Sequence, residues 1–562
     1  MTRVVAALAL SSALLAMGCG SALRRFPRHE VVWNDHDQRM FGPPPASWYS
    51  PYFWDGVDNS SFRPLSEALR LELDAEAINV NAWDEVPDSS WYTRRLAQEA
   101  LAPEVVAAGA CGDEDRSIPG VDDDVRPPFV ITRGKPDGSN PGFFVRDGRG
   151  RLYLMKPDHG DQRERASAAD AIGAAVFWAA GYFTPCNRVI YVARDDLDLA
   201  EDAISRTTDG REEPLTDARV DEILADAVTD DRGRIRASLS RFIDGEPISP
   251  WRYEGTWDED PNDVVPHQHR RDVRAMFVLS AWLSHIDSRQ ENTMAAFIGE
   301  DDVGYVRHYM IDFSDTLGIA VDNELLTRRF GHAGYVDFQA LGEDFFTLGL
   351  ADRPWEHAQL GPAGATLGYF DLERFEPEHW RPGYPNPAYE RMTERDAAWM
   401  ARILARFGDA QIEALVARGR FAEPIVSSEL TRILVGRRDR ILERWLTRLS
   451  PLTSPRTVRA RRAICLEDRA VTTGFRDRET RRYEARAWAL DPTRELPVVI
   501  SIEADGPCLA ISPELESGYV VIDVVASTEG RERTRPLRVH VHVWSGRVSI
   551  AGLERLEGEG TP

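Results

Sequence analysis

Lysine is almost absent from this chain of 562 residues. Of its 68 basic residues, only Lys135 and Lys156 are lysines. Such a preference for arginine is typical of a GC-rich genome, so a lysine that persists is a candidate for a chemically required group. A lysine ammonium is a compact point charge, whereas an arginine guanidinium is a planar fork. Both lysines fall within one segment of 22 positions, and that segment is therefore a candidate for chemistry.

Long basic patches are also missing. The net charge is −24 at pH 7, whereas contacts with the phosphates of a nucleic acid require clustered lysine and arginine. We therefore expect no nucleic-acid partner.

Cysteine is sparse, and no CxxC pair or cluster of cysteine with histidine predicts a zinc site. Cys19 belongs to the leader described below, so four cysteines remain, and four allow three pairings. The favoured pairing joins Cys465 and Cys508, because both fall in the C-terminal segment, and buried free thiols are the alternative. Disulfides persist in oxidising compartments, so this expectation depends on export.

Only the N-terminus carries a long apolar run, and no later stretch approaches the roughly 20 apolar residues of a spanning helix. Arg3 is followed by an apolar run that ends just before Cys19, which is the layout of an export signal. Residues 14–19 resemble a bacterial lipobox, whose cysteine is lipidated; the alternative is a plain secretory signal with an incidental cysteine. Residues 1–19 are thus predicted to be a lipoprotein signal peptide. The lipid alone would attach the protein to the bacterial cell envelope, at the periplasmic or surface face of the outer membrane.

The rest of the chain divides into four predicted parts. Residues 20–126 are rich in proline and aromatic residues and are expected to wrap over a neighbouring domain. Residues 127–250 contain short strands and an acidic surface insertion at 195–234, and residues 251–452 are mostly helical. Residues 456–562 alternate apolar and polar residues, which is typical of half-buried strands, and are expected to form a small β-sandwich. The expected fold class is α+β.

Strand patterns place Lys156 at the end of the third predicted strand. Apolar runs that begin at Phe129, Phe143 and Leu152 are separated by turn residues, which predicts a small antiparallel sheet. Apolar residues then recur at helical spacing over 165–180. Lys156 is therefore expected to lie on a strand that immediately precedes a helix.

A second group of polar residues follows a long apolar helix predicted at 266–285. Asp287 and Asn292 lie five positions apart in the loop after that helix, and Asp312 ends a hydrophobic strand about 20 positions later. Phosphoryl transfer needs one carboxylate to accept the proton of the substrate hydroxyl. It also needs oxygen ligands, such as an amide and a carboxylate, to hold magnesium on the phosphates. The residue types and their order fit that chemistry.

This spacing resembles the catalytic loop and metal-binding aspartate of the protein-kinase superfamily. Over residues 127–450 the chain is similar to the HipA-like and phosphatidylinositol-kinase-like branches more than to ordinary eukaryotic protein kinases. The resemblance implies a two-lobed domain with a small antiparallel N-lobe at 127–250 and a helical C-lobe at 251–452. It further implies Asp287 as catalytic base, with Asn292 and Asp312 as ligands of Mg²⁺.

The resemblance also implies a nucleotide site. Lys156 would bind the α and β phosphates of ATP, and a carboxylate of the following helix would position this lysine, either Asp170, the preferred candidate, or Glu164. The other candidates are a turn whose backbone NH groups would close over the phosphates, although it lacks the kinase GxGxxG pattern, and a stretch between the lobes that would meet adenine. These residues are Gly138, Ser139, Asn140 and Gly142 in the turn, and Phe242 and Ile243 in the stretch.

The chain departs from the kinase pattern at two triplets. His-Ile-Asp at 285–287 replaces His-Arg-Asp, and Asp-Phe-Ser at 312–314 replaces Asp-Phe-Gly. Serine has less backbone freedom than glycine and is expected to stiffen the loop at 312–314, which would bind the metal. Neither departure removes a group that the chemistry requires.

The function implied is an ATP- and Mg²⁺-dependent transfer of phosphate to an unidentified hydroxyl acceptor at the cell envelope. The sequence leaves the acceptor open between a protein, a lipid and a small molecule. The alternative is a catalytically inactive kinase-fold lipoprotein that serves as a binding or structural module, a hypothesis motivated by the scarcity of ATP outside the cytoplasm.

Overall fold

The computed structural model describes residues 23–558 except for the segments 48–51, 71–74, 114–124, 136–140, 161–162, 207–210, 319–323, 513–514 and 532. Cys19 and the predicted signal peptide lie outside the described residues, as do Gly138, Ser139 and Asn140 of the predicted phosphate turn.

Strands dominate two regions of the described chain. In chain order they are β1 (Phe129–Gly134), β2 (Phe143–Arg146), β3 (Leu152–Pro157), β4 (Asn187–Val192), β5 (Leu197–Arg206), β6 (Glu212–Pro214), β7 (Ile235–Arg241), β8 (Glu246–Ser249), β9 (Thr293–Glu300), β10 (Val303–Met310), β11 (Leu452–Val458), β12 (Ala463–Asp468), β13 (Arg481–Leu490), β14 (Arg494–Leu496), β15 (Val498–Ile502), β16 (Pro507–Ile511), β17 (Gly518–Thr528), β18 (Leu537–Trp544) and β19 (Arg547–Arg555).

Helices dominate the chain between β10 and β11 and also occur outside it. The α-helices of the described residues are α1 (Tyr52–Val57), α2 (Arg63–Ala68), α3 (Pro103–Ala108), α4 (Ala110–Asp113), α5 (Arg165–Ala180), α6 (Asp217–Leu224), α7 (Arg271–Leu283), α8 (Glu324–Arg329), α9 (Phe338–Thr347), α10 (Gly364–Leu367), α11 (Glu394–Leu404), α12 (Asp409–Ala417), α13 (Pro424–Ile441) and α14 (Arg469–Thr472). Among the described helices none has the length and apolar content needed to cross a membrane.

The first sheet has the strand order β4-β7-β3-β2-β1-β5-β6, and α5 packs against β4 and β7. The prediction of a small antiparallel sheet with a surface insertion at 195–234 is wrong in one respect. That acidic stretch supplies β5, β6 and α6, and β5 pairs in parallel with β1. Leu197 and Ala203 of β5 face the core while Asp198 is exposed, so the strand is half-buried.

The helical region is built around α7, all of whose residues are buried. The indole nitrogen of Trp282 on α7 donates to the carbonyl oxygen of Leu434 on α13 at 2.8 Å, which fixes the two helices side by side. A separate three-stranded sheet has the strand order β10-β9-β8. Its strand β9 follows directly on the loop after α7, so the sheet and the helix hold that loop from both ends.

The N-terminal extension crosses several parts of the molecule, as its aromatic content predicts. The ring of Trp91 stacks on His308 of β10 with 3.4 Å between centroids. The Asp84 carboxylate lies 2.6 Å from Arg271 at the start of α7 and 2.5 Å from Arg555 on β19. The extension therefore joins the helical region to the C-terminal region through buried charges.

The C-terminal strands form a four-stranded sheet, β11-β12-β16-β15, and a five-stranded sheet, β14-β13-β17-β18-β19. Residues from both sheets share one hydrophobic core, with Ile464 and Leu509 from the first and Val520 and Val539 from the second. The mixed α+β class is confirmed, whereas the predicted domain boundaries stay predictions.

All four cysteines of the described chain are paired. Cys465 is bonded to Cys508, which confirms the favoured pairing over free thiols, and a second disulfide joins Cys111 and Cys186 across a sequence separation of 75 residues. The second bond ties the N-terminal extension to the start of β4.

Candidate nucleotide and metal site

Lys156 lies on β3 in the middle of the first sheet, opposite Ser238 of β7. Its ammonium nitrogen is 2.8 Å from Oδ1 of Asp312 and 3.5 Å from Oδ2 of Asp170. Burial alone would lower the pKa of this lysine, but the two carboxylates outweigh burial and raise it above its usual value. Lys156 is therefore a buried, permanently charged group that links the sheet, α5 and the end of β10.

Asp170 is held rigidly on the inner face of α5. Its Oδ1 accepts hydrogen bonds from Nδ2 of Asn187 at 3.0 Å and from the backbone NH of Phe313 at 3.1 Å. Glu164, the alternative partner of Lys156, points elsewhere, because its carboxylate accepts from the backbone NH of Ala422. Of the two candidates, Asp170 is the one that the fold places beside the lysine.

Asp312 follows β10 in a left-handed backbone conformation, with φ of +53°, which aspartate adopts more readily than most residues. Ser314, in the position where kinases have glycine, donates from its hydroxyl to Oδ1 of Asp312 at 2.6 Å. Burial would raise the pKa of Asp312, but the positive charges of Lys156 and Lys135 hold it well below its usual range. The Asp312 carboxylate is therefore anionic at any physiological pH.

Asp287 and Asn292 are joined within the loop after α7. The amide nitrogen of Asn292 donates to the backbone oxygen of Asp287 at 2.7 Å and to its Oδ2 at 2.8 Å. The backbone NH of Ile311 donates to the carbonyl of Asn292 at 3.0 Å, which brings this loop beside the end of β10. Burial raises the pKa of Asp287, although the neighbouring Arg289 opposes the shift, so Asp287 is a stronger base than a solvated aspartate.

The donor set at the end of β10 fits a hard divalent cation. Asn292 uses its amide nitrogen on Asp287, which leaves its amide oxygen as the remaining acceptor. The Asp312 side chain is one-third exposed and carries a full negative charge. Carboxylate and amide oxygens are the ligands that Mg²⁺ and similar ions accept, so these two residues could hold such an ion.

Of the remaining predicted residues, the structure describes Gly142, Phe242 and Ile243. The backbone carbonyl of Gly142 accepts from the NH of Lys135, and a side chain at Gly142 would meet the backbone oxygen of Met155 at 2.6 Å. Phe242 and Ile243 follow β7 and precede β8, so they lie in the connection between the first sheet and the three-stranded sheet, and their contact with adenine stays a prediction. Phe242 is exposed and its backbone NH donates to Leu152.

Sequence reasoning missed Asp315, three residues after Asp312. Burial, with the nearby Asp287 carboxylate, raises the pKa of Asp315 to about 6, although Arg165 opposes the shift. Arg165 itself is buried and donates to the carbonyls of Ser314 and Thr316 at 3.0 Å, which holds residues 312–316 against α5. The signal for Asp315 in the sequence is a second acidic residue so close to Asp312.

His285 carries no acid-base role in this arrangement. It is fully buried against Phe177 and Phe313, and burial lowers its pKa to about 4. The ring is therefore neutral at physiological pH and acts as a packing group beneath the loop that carries Asp287.

Close packing of α5 on Phe313 gives a first testable prediction. A Cβ at Gly173 would lie 2.6 Å from the Cβ of Phe313, so Gly173→Ala is expected to displace Phe313 and to lower stability by about 1–3 kcal/mol, the usual effect of overpacking. Thermal denaturation measures the change. The control is Gly342→Ala on α9, where a Cβ meets nothing within 4 Å and helix propensity favours alanine; equal effects at both positions would refute the packing argument.

Comparison with known proteins finds only a weak similarity to solved structures. No family model matches the chain, and no curated protein matches it. Among solved structures it is similar to the Golgi casein kinase with Mn and ADP bound, at a TM-score of 0.22 and 12% identity, over 50% of this chain and 74% of that chain. A second crystal structure of the Golgi casein kinase gives the same TM-score and identity over 54% of this chain and 77% of that chain. At this TM-score the likeness carries no argument about this chain.

Proposed function

We propose that this protein is a kinase-like phosphotransferase that uses ATP and a divalent cation, Mg²⁺ in the first instance, to phosphorylate a hydroxyl group. The observation that carries the proposal is the convergence of Lys156, Asp170 and Asp312, which come from a strand, a helix and a loop, with Asp312 lying 156 positions after Lys156 in the chain. Beside them stands the hydrogen-bonded pair of Asp287 and Asn292. A fold that only needed stability would gain little from concentrating buried charges in this way.

Each group has a distinct task in the proposed reaction. Lys156, kept in place by Asp170, neutralises the phosphates of the nucleotide, and Asp312 with the amide oxygen of Asn292 holds the cation. A bound cation supplies positive charge against the phosphate oxygens. Asp287, whose pKa is raised by burial, orients the acceptor hydroxyl and takes its proton. The acceptor, whether protein, lipid or small molecule, stays open.

The proposed location of the protein is outside the cytoplasm, at the cell envelope. Two disulfides in one chain are typical of proteins in oxidising compartments, and they support the predicted export, whereas lipid attachment at Cys19 stays a prediction. An exported kinase needs a source of ATP, so the inactive envelope module remains the second candidate function. Stability that is indifferent to nucleotide and cation would favour it.

Thermal denaturation with Mg²⁺ and ATP tests the proposed site. A ligand that binds only the folded protein raises its stability by about 2.7 kcal/mol at 100 times its dissociation constant, so the wild type should melt at a higher temperature with both ligands than with either one. Asp312→Asn should lose the contribution of the cation, because the variant removes the carboxylate while asparagine tolerates the same backbone conformation.

The matched control is Asp301→Asn, an exposed residue of the turn between β9 and β10 with φ of +50°. This variant should respond to Mg²⁺ and ATP as the wild type does. A wild type that does not respond would exclude the active-kinase proposal and leave the envelope module.

A further inference from the structure

The N-terminal extension reaches the loop that carries the proposed catalytic base. Nη1 of Arg289 lies 3.0 Å from Oδ2 of Asp55, which belongs to α1. The Nε atom of the same arginine lies 2.9 Å from Oδ1 of Asp287. One guanidinium therefore bridges a carboxylate of the extension and the carboxylate that the proposed reaction uses as its base.

The Asp55 end of this bridge is built into the extension. Asp55 is only 3% exposed, and its Oδ1 accepts from Nδ2 of Asn59 at 2.7 Å. A second contact is made one residue further along the loop, where Nη2 of Arg63 donates to Oε1 of Gln290 at 3.0 Å. The extension thus fixes two successive residues of the catalytic loop from outside the two lobes.

Both oxygens of Asp287 are occupied by these arrangements. Oδ2 accepts from Asn292 and Oδ1 faces Arg289, so the direction in which the carboxylate presents itself depends on where the guanidinium sits. An arginine side chain that is not held at its far end loses that position, because it has many rotamers of similar energy. Asp55 contacts the guanidinium at that far end, where the ring of Tyr384 also faces it, with 5.4 Å between the guanidinium carbon and the ring centroid.

We infer that Asp55 is a positioning residue for phosphoryl transfer, acting through Arg289 to orient Asp287, and that the N-terminal extension is therefore part of the active enzyme and not only a cover. This inference rests on the proposed function. It places a residue 234 positions upstream of Arg289 in the machinery without contact to the nucleotide.

The test compares purified wild type with Asp55→Asn, Asp55→Ala and Asp55→Glu, using Mg·ATP as the probe. Water takes the place of the unidentified acceptor hydroxyl and receives the phosphoryl group, and the ADP released is the readout. Misplacement of a catalytic group by about 1 Å costs on the order of 100-fold in rate. We expect kcat to fall by about 10- to 100-fold in the first two variants, with the KM for ATP unchanged because Lys156 and Asp312 are untouched. Asp55→Glu, which keeps the charge, should restore part of the rate.

Hydrogen exchange supplies a readout that is independent of turnover. Amides of residues 285–292 should exchange faster in Asp55→Ala than in the wild type, and Asp55→Glu should reduce the difference. The control is Asp523→Asn, which breaks a similar arginine pair, with Arg538 at 2.7 Å in the C-terminal sheet, and should leave both readouts unchanged.

The outcomes separate two failures. If the wild type forms ADP and the Asp55 variants match it in kcat and in exchange, the positioning role is refuted and the proposed function stands. A raised kcat would likewise refute it, since the bridge would then restrain the base. If the wild type forms no ADP, the proposed function and the inference fall together.

Discussion

Asp287→Asn is expected to lower the rate of phosphate transfer by about 100- to 10,000-fold, the usual cost of removing a general base. Asparagine has the same shape and can still accept the hydrogen bond from Asn292, but it cannot take a proton from the acceptor hydroxyl. Binding of Mg·ATP should stay close to that of the wild type, because Lys156, Asp312 and Asn292 are unchanged. The measurement is ADP formation alongside nucleotide-dependent thermal stabilisation.

The two readouts together make this experiment selective. Asp523→Asn is again the matched substitution, far from the loop, and should preserve turnover. If Asp287→Asn kept its turnover to within a few-fold, Asp287 would not be the base, and Asp315, the neighbouring carboxylate with a pKa near 6, would be the next residue to replace.

Asp84→Asn is expected to lower the free energy of unfolding by about 3–5 kcal/mol, the usual effect of breaking a buried ion pair by removing one partner. The variant leaves the buried side chains of Arg271 and Arg555 without the carboxylate that both share. Asparagine preserves the shape and tolerates the left-handed backbone at this position, where φ is +60°, so the loss of charge is isolated. The midpoint of denaturant unfolding measures the change.

Asp491→Asn is the control, because Asp491 has a similar φ of +68° but its pair with Arg25 is exposed. Exposed pairs contribute about 0–1 kcal/mol, so this variant should unfold almost as the wild type does. A loss at Asp84 no greater than the loss at Asp491 would contradict the role assigned to the buried bridge.

The same bridge fixes the sign of a pH effect. Burial would raise the pKa of Asp84, but Arg271 and Arg555 outweigh burial and hold it well below its usual value. A carboxylate whose pKa is depressed in the folded state contributes stability above the unfolded pKa of about 3.9, and that stability is lost as pH falls below it. Wild type should therefore lose more stability than Asp84→Asn on acidification below about pH 4.

Local patterns in the sequence were sufficient to predict the first three strands, the helix at 165–180 and the loop between Asp287 and Asn292. Hydrophobic periodicity and turn residues act over short distances, so these elements follow from neighbouring residues. The pairing of β5 with β1 could not be predicted in this way, because a parallel partner is reached through a long connection. The acidic residues around Leu197 are also typical of a surface loop.

Long-range pairings escaped prediction for a related reason. Four cysteines are compatible with three connectivities, and a preference for Cys465 with Cys508 leaves open only whether Cys111 and Cys186 form the second pair or stay free thiols. The contact between Asp55 and Arg289 depends on how the extension folds back over the helical region. Neither the composition around Asp55 nor the spacing of its neighbours predicts that contact.

The bridge from Asp84 to Arg555 also has a consequence for biosynthesis. The two residues are 471 positions apart in the chain, and a ribosome adds about 5–20 residues per second. Asp84 therefore waits on the order of a minute for its last partner to be made. Because the proposed export precedes folding, the extension also lacks its C-terminal partner until the final strand has crossed the membrane, and the unfolded chain is expected to need protection by chaperones until then.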